Sequence, residues 1–240
     1  MQMISKNKNL EDKFNKLSKK FVYRNTFKPT YTTLSIIKIL NDFNLKKKNI
    51  LDLGCGSGII TSCIYNKKNN SNFFLSDLSI NAIKSAKINL KSQKIDSEIK
   101  TGNCFKPWKN KKFDLIINDV SGVSKHISKI SPWFKKIPAD KSNNGNYFLK
   151  KVLRESPNYM SKNALIITPI ISLSKVSESL SFIKKKFKIV KKEKFEWPLP
   201  KEMKKYEKLL KNFKTKKIID FEFKFGTIIC YTLILVLKIK

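Results

Sequence analysis

Asn49-Ile50-Leu51-Asp52-Leu53-Gly54-Cys55-Gly56-Ser57-Gly58 is the stretch that decides the fold. Its first five residues are apolar enough for a strand buried on both faces, and three glycines then follow at alternate positions. Glycine tolerates positive φ and lets a ligand approach the backbone closely. Apolar residues recur at helical spacing over 59–64. Strand, glycine turn and helix in this order predict a nucleoside-cofactor site.

A second feature falls where a nucleoside site requires an acid. Asn72 to Ser76 has the pattern of a short buried strand, and Asp77 stands nineteen residues past Gly58. At that spacing a carboxylate accepts hydrogen bonds from ribose hydroxyls. The alternative is that Asp77 is the N-cap of the helix that follows, and both roles can hold at once. The third glycine comes one residue too early for a dinucleotide fingerprint, so a pyrophosphate is the poorer interpretation.

These motifs resemble those of class I S-adenosylmethionine-dependent methyltransferases. The resemblance is carried by Asp52 to Gly58, the acid Asp77, Thr101 to Cys104, and Phe113 to Asp119, and it covers about residues 29–238. Pro29 to Leu34 is most similar to the segment before the first helix of the HemK-like N-methyltransferases. That subfamily carries Asn-Pro-Pro-Tyr after its fourth strand, whereas this chain has Asn118-Asp119-Val120-Ser121.

The resemblance implies S-adenosyl-L-methionine as cofactor and no metal. Asp52 would hold the cofactor's ammonium, and Asn103 would border its adenine, although Asn103 also suits a simple turn beside Gly102. The binding residues implied are Thr33, Asp52, Gly54, Cys55, Gly56, Gly58, Asp77, Leu78, Asn103, Cys104 and Asn118.

Asn118 and Asp119 are the predicted catalytic pair. An amide side chain both donates and accepts, so Asn118 can orient an acceptor nitrogen. Where the HemK-like subfamily has the rigid aromatic platform of Pro-Pro-Tyr, Asp119 offers a hydrogen-bond acceptor, a general base or a partner for a cationic substrate. A turn or cap role for Asp119 is the plainer alternative.

Alternating strand and helix patterns predict an α/β fold with a mostly parallel sheet covered on both faces. The resemblance makes this a Rossmann-like class I methyltransferase fold with seven strands, the last one antiparallel. We expect a lysine-rich helical extension over residues 1–28, with a helix near Asn9 to Phe21, and one methyltransferase domain over 29–240.

The segment from Ser121 to Gly145 is longer than most connections, and such loops are often functional. Its Trp133, Phe134 and Pro138 could line a substrate pocket or a lid. His126 could act as a base because its pKa lies near neutrality, although a lone loop histidine is more often merely solvated.

The formal net charge is +33, and every basic residue except Arg24 and Arg154 is lysine. Proteins that recognise nucleic acids favour arginine for its planar guanidinium. Compositional drift is therefore an alternative to function as the cause of the lysine excess. The charge predicts nonspecific, salt-dependent binding to polyanions either way.

Cysteine usage and the lack of a long apolar run predict a cytoplasmic protein with no membrane span and no metal or disulfide framework. The favoured function is N-methylation of a protein side chain. Methylation of ribosomal or transfer RNA, methylation of a small molecule, and a non-catalytic binding module are the alternatives. The oligomeric state stays open.

Overall fold

The computed structural model describes residues 2–23, 25–120, 122–134 and 137–240, with the backbone alone for residues 2–7. Ser121, the first residue of the long segment singled out above, lies outside the described residues.

The described residues form one eight-stranded sheet. Its strands are β1 (Asn49–Leu53), β2 (Asn72–Asp77), β3 (Glu98–Thr101), β4 (Phe113–Asn118), β5 (Met160–Ile171), β6 (Phe187–Pro198), β7 (Glu222–Lys224) and β8 (Thr227–Ile239). The spatial order is β3-β2-β1-β4-β5-β8-β6, and β7 pairs with β8 at the side. Strands β1 to β5 are parallel, while β8 runs antiparallel between β5 and β6.

The α/β class and the predicted seven strands are confirmed, and one short strand was missed. Strand β7 has only three residues, Glu222–Lys224, and forms a hairpin with β8. Three residues are too few for a period-two pattern to stand out in the sequence. The strand exists because the long β8 offers it a partner.

Helices cover both faces of the sheet. They are α1 (Gln2–Lys20), α2 (Tyr31–Leu40), α3 (Ile59–Ile64), α4 (Ile80–Ser92), α5 (Lys125–Ile130), α6 (Tyr147–Glu155), α7 (Val176–Lys186) and α8 (Glu207–Thr215). Ile50 packs in the core formed with α1 to α4, whereas its neighbour Leu51 packs in the core formed with α6 and α7. Successive strand residues point to opposite faces, so two cores sandwich the sheet.

Helix α1 packs into the first of these cores. Phe14 and Phe21 are buried there, and Nζ of Lys13 donates to the carbonyl of Cys63 at 2.6 Å. The apolar spacing that predicts this helix therefore marks the face it buries. The boundary at residue 28 between an extension and a domain stays a prediction.

A third core lies beside the carboxyl ends of the strands. It joins the segment 123–134 to the chain between Trp197 and Cys230, and it includes Ile127, Met203, Leu210 and Phe213. This C-terminal lobe, residues 197–230, supports the segment that borders the candidate site.

Candidate active site

The glycine turn after β1 is held between two neighbouring strands. The N–H groups of Gly54 and Cys55 donate to the carbonyl of Ser76 at 2.8 and 3.1 Å. Gly54 has φ +81°, and a Cβ there would lie 2.9 Å from the carbonyl oxygen of Asp119. Only glycine fits this position, because the backbone after β4 passes directly over it. The turn leaves its outer side open for a flat ligand.

Asp77 at the end of β2 binds the glycine turn. Its Oδ2 accepts the N–H of Gly56 at 3.0 Å, and its Oδ1 accepts the N–H of Ser79 at 2.8 Å. Burial raises the pKa of this carboxyl, and those N–H groups act against the shift. The N-cap of α4 is Ser79, which accepts from Ala82. The alternative role of Asp77 as that N-cap is therefore wrong, since the helix begins three residues later.

Asp52 lies beneath the turn and is fully buried. Thr61 donates to its Oδ2 at 2.8 Å, and its Oδ1 is buried without a hydrogen-bond partner within the described chain. Burial raises the pKa of Asp52 to about 6, which the nearby Asp77 reinforces. A buried oxygen with no partner is costly, so this atom suits a donor supplied by a ligand or a water molecule.

Asp119 is the third carboxyl of this group. It is partly buried, and Thr33 donates to its Oδ2 at 3.4 Å. Burial and the carboxylate of Asp52 raise the pKa of Asp119 to about 8. Like charges that share a site resist ionising together. Asp119 therefore titrates near neutrality.

A cavity that is partly open to solvent lies over the turn. It is bordered by the residues before α2, the glycine turn, the start of α4, the end of β3 and the segment after β4. The predicted residues that line it are Thr33, Gly54, Cys55, Gly56, Asp77, Leu78, Asn103, Cys104 and Asp119. Its walls combine a polar floor with apolar sides, as in small-molecule sites.

Residues at the rim differ in how they are held. Nζ of Lys151 donates to Oδ1 of Asn103 at 3.2 Å, and Leu78 is about half exposed. Cys104 has φ +52°, and burial raises the pKa of its thiol to about 11. The Cys104 thiol is therefore protonated at neutral pH.

Three predicted residues do not line this cavity. Asp52 lies under the turn, and Gly58, with φ +79°, packs against Leu90 of α4. Asn118 is buried, and its Nδ2 donates to Oγ1 of Thr168 on β5 at 2.9 Å.

The Asn118 side chain borders a smaller cavity instead. Its Oδ1 is buried without a hydrogen-bond partner within the described chain. The smaller cavity shares Val120 and Gly122 with the main one.

Phe134 closes the mouth of the main cavity together with an aromatic residue that sequence reasoning missed. The rings of Phe27 and Phe134 lie 5.2 Å apart between centres, and both line the cavity, as do Ile137 and Pro138. Phe27 falls in the segment interpreted as an extension. Its position two residues before Pro29 was the available signal.

His126 and Trp133 pack elsewhere. His126 lies against Phe213 of α8 at 5.2 Å between ring centres, and Trp133 contacts Trp197. Neither lines the cavity. The described part of segment 121–145 is therefore partly a cavity wall and partly the inner layer of the C-terminal lobe.

Comparison with known proteins finds similarity to methyltransferases. Residues 31–119 match the family model of the methyltransferase small domain. The ribosomal protein uL3 glutamine methyltransferase of Francisella tularensis is 26% identical over 128 residues, which are 51% of this chain and 41% of that protein. The ribosomal RNA small subunit methyltransferase C of Buchnera aphidicola is 34% identical over 76 residues, which are 32% of this chain and 23% of that protein. The chain thus spans less than half the length of these curated relatives.

Solved structures share the fold. The ribosomal protein L11 methylase of Lactobacillus delbrueckii subsp. bulgaricus superposes with a TM-score of 0.56 at 13% identity, over 90% of this chain and 81% of that one. Another neighbour, solved as a complex with S-adenosylhomocysteine, has a TM-score of 0.54 at 13% identity, over 86% of this chain and 50% of that one.

The chain has the fold of the class I methyltransferases. Residues 31–119 match the methyltransferase small domain, and a HemK-like enzyme is among the relatives. The resemblance drawn from the sequence is confirmed. Within the described residues no helix is long and apolar enough to cross a membrane.

Proposed function

We propose that this chain is an S-adenosylmethionine-dependent methyltransferase that methylates a nitrogen of a protein side chain. The observation that carries the proposal is the Asp77 carboxylate, which accepts from the N–H of Gly56 at 3.0 Å beside a cavity that also exposes Asp119. A carboxylate oxygen has lone pairs for more than one donor. Asp77 can therefore hold the turn and still accept hydrogen bonds from ribose hydroxyls.

The residues present fit this cofactor. Gly54 and Gly56 both have positive φ, and at Gly56 the nearest atom to the place of a side chain is the carbonyl oxygen of Phe27 at 3.9 Å, which leaves room for a ligand. The unpartnered Oδ1 of Asp52 beneath them suits an ammonium group, directly or through water. The cofactor would supply an electrophilic methyl group on a sulfonium. One solved neighbour is a complex with S-adenosylhomocysteine, the cofactor without its methyl group, and this supports the proposal.

Asp119 would handle the acceptor's proton. Its pKa of about 8, raised by burial and by Asp52, is close to the working pH, which is the range that general acid–base catalysis favours. A cation in the cavity would lower this pKa and leave a carboxylate. That carboxylate could take the proton from an attacking nitrogen, while Phe27 and Phe134 exclude water.

Asn118 acts at the edge of this site. Its bond to Thr168 fixes the end of β4 and so positions Asp119. Direct orientation of an acceptor by Asn118 stays a prediction, and it requires the acceptor to pass Val120 and Gly122 to reach Oδ1.

An RNA acceptor is the second candidate. The ribosomal RNA methyltransferase relative and the net charge of +33 favour it, whereas the scarcity of arginine does not. A cytoplasmic location is part of the proposal for both acceptors, and the buried free cysteines support it.

Two measurements test the proposal. Calorimetry with purified protein should detect binding of S-adenosylmethionine and S-adenosylhomocysteine, and its absence would contradict the cofactor assignment. Cell extract incubated with enzyme and methyl-labelled cofactor should then carry label that protease removes and nuclease leaves. Nuclease-sensitive label would favour RNA, and label in the small-molecule fraction would contradict both acceptors.

A further inference from the structure

The β7–β8 hairpin presents an aromatic side chain that is strained and exposed. Lys224 pairs with Thr227, so the turn consists of Phe225 and Gly226, whose φ angles are +51° and +70°. A type I′ turn requires positive φ at both positions, and Asn-Gly is the favoured pair. Phe225 is 99% exposed, so packing within the described chain does not offset the strain. An exposed aromatic held in an unfavourable backbone conformation suggests a contact with a partner.

Lysines lie beside this hairpin. Nζ of Lys211 is 4.9 Å from the ring centre of Phe223, which places α8 against the hairpin. Lys208 lies three residues before Lys211 on the same side of α8, and Lys204 lies in the 3₁₀ helix Lys201–Tyr206 directly before α8. Within the described chain, the exposed lysines of this segment without an ion pair are Lys201, Lys204, Lys205, Lys208, Lys216 and Lys217.

We propose that these lysines, together with Phe223 and Phe225, form a docking surface for single-stranded RNA. We call it the basic hairpin surface. Unpaired bases stack on aromatic faces, and a cationic groove follows the phosphates without reading sequence. Lysine suits that role because it acts as a point charge. RNA, the second acceptor considered above, supplies both phosphates and unpaired bases.

The basic hairpin surface is connected to the candidate active site. Phe213 of α8 packs on His126, and the same segment carries Phe134 at the cavity mouth. RNA on this surface would therefore lie against a lobe that packs on the segment bordering the cavity. The inference does not depend on which acceptor is methylated. RNA docking would bring either an RNA acceptor or a protein acceptor bound to RNA to the enzyme.

The test measures polarisation of a labelled single-stranded oligoribonucleotide against the full chain and a Phe225→Asn variant. Asparagine tolerates positive φ, so this variant should unfold at the same or a higher temperature. Its RNA affinity should nevertheless fall by about 5- to 100-fold through loss of stacking. Unchanged affinity would overturn the proposal, and so would tighter binding of the corresponding DNA oligonucleotide.

The contribution of the lysine charges to RNA binding is tested with a matched control. The triple variant Lys204→Gln, Lys205→Gln, Lys208→Gln should weaken RNA binding and reduce its salt dependence. Removing the same charge from exposed Lys184, Lys185 and Lys186 of α7 should have a much smaller effect. Equal losses of RNA affinity in the two triple variants would mean that binding depends on net charge alone, and would overturn the proposal.

Anionic vesicles should compete poorly with RNA for this surface. Vesicle binding that depends on Phe225, in the absence of RNA binding, would also overturn the proposal. Calorimetry with S-adenosylhomocysteine should give the same affinity for both variants, so failure of the RNA arm is separable from failure of the proposed cofactor.

Discussion

The backbone N–H of Gly56 donates to Oδ2 of Asp77 at 3.0 Å, and this bond joins the two sequence motifs that predict a nucleoside site. It ties the turn after β1 to the end of β2 at one edge of the parallel sheet. The other oxygen of Asp77 holds the N–H of Ser79 at 2.8 Å, directly before α4. One carboxylate therefore fixes both the turn and the helix start around the cavity floor.

Replacement of Asp77 by alanine should weaken binding of S-adenosylhomocysteine by roughly 1–3 kcal/mol, the cost of losing hydrogen bonds to a charged group. Calorimetry measures this affinity. The matched control is Asp96→Ala, because Asp96 is exposed and lies outside the cavity. If Asp77→Ala binds S-adenosylhomocysteine as tightly as the control does, Asp77 only holds the glycine turn and does not contact the ribose.

Gly54→Ala should destabilise the fold more than Gly226→Ala. Both glycines have positive φ, +81° and +70°, so both variants incur backbone strain of roughly 1 kcal/mol. Only at Gly54 would the new Cβ meet the carbonyl oxygen of Asp119 at 2.9 Å, whereas nothing lies within 4 Å at Gly226. Urea unfolding gives the free energies of unfolding. Equal losses would mean that the segment after β4 moves away freely.

Asp119→Asn should flatten the dependence of stability on pH. Burial and Asp52 raise the pKa of Asp119 from 3.8 to about 8, so the folded state holds a proton that the unfolded state has lost. The resulting stability is complete below about pH 3.8, declines as pH rises and is gone above about pH 8. Asparagine cannot titrate, and the variant should lose less stability between pH 5 and 8. Thermal denaturation across that range measures the difference. Parallel curves for the two proteins would contradict the raised pKa.

The Phe27–Phe134 contact should stabilise the closed cavity mouth. Aromatic pairs of this separation contribute about 0.5–1.5 kcal/mol beyond their buried area. A double-mutant cycle with Phe27→Leu and Phe134→Leu, read by the affinity for S-adenosylhomocysteine, should show a coupling of this size. Additive losses would mean that each ring contributes to the site independently.

Several features were predictable because their causes are local. The apolar run of β1, the three glycines and the spacing to Asp77 specify strand, turn and acid without reference to distant residues. The same holds for α1, whose apolar face is visible at helical spacing. Eight of the ten predicted binding residues other than Asn118 line the cavity because the carboxyl ends of parallel strands meet at one edge.

Other features depend on contacts between distant parts of the chain. The side chain of Asn118 turns to Thr168, fifty residues later. His126 packs on Phe213 rather than in the cavity. Strand β7 forms only against β8, and Phe27 reaches Phe134 only after the segment before α2 folds over the turn.

The sequence by itself determined the glycine-turn motif and the α/β class, because glycine conformation and apolar periodicity act over a few neighbouring residues. Only the tertiary structure decided how the site is closed and how its acids titrate. Burial and the approach of Asp52 raise the pKa of Asp119 to about 8, and both arise only when the ends of β1 and β4 lie side by side in the folded sheet.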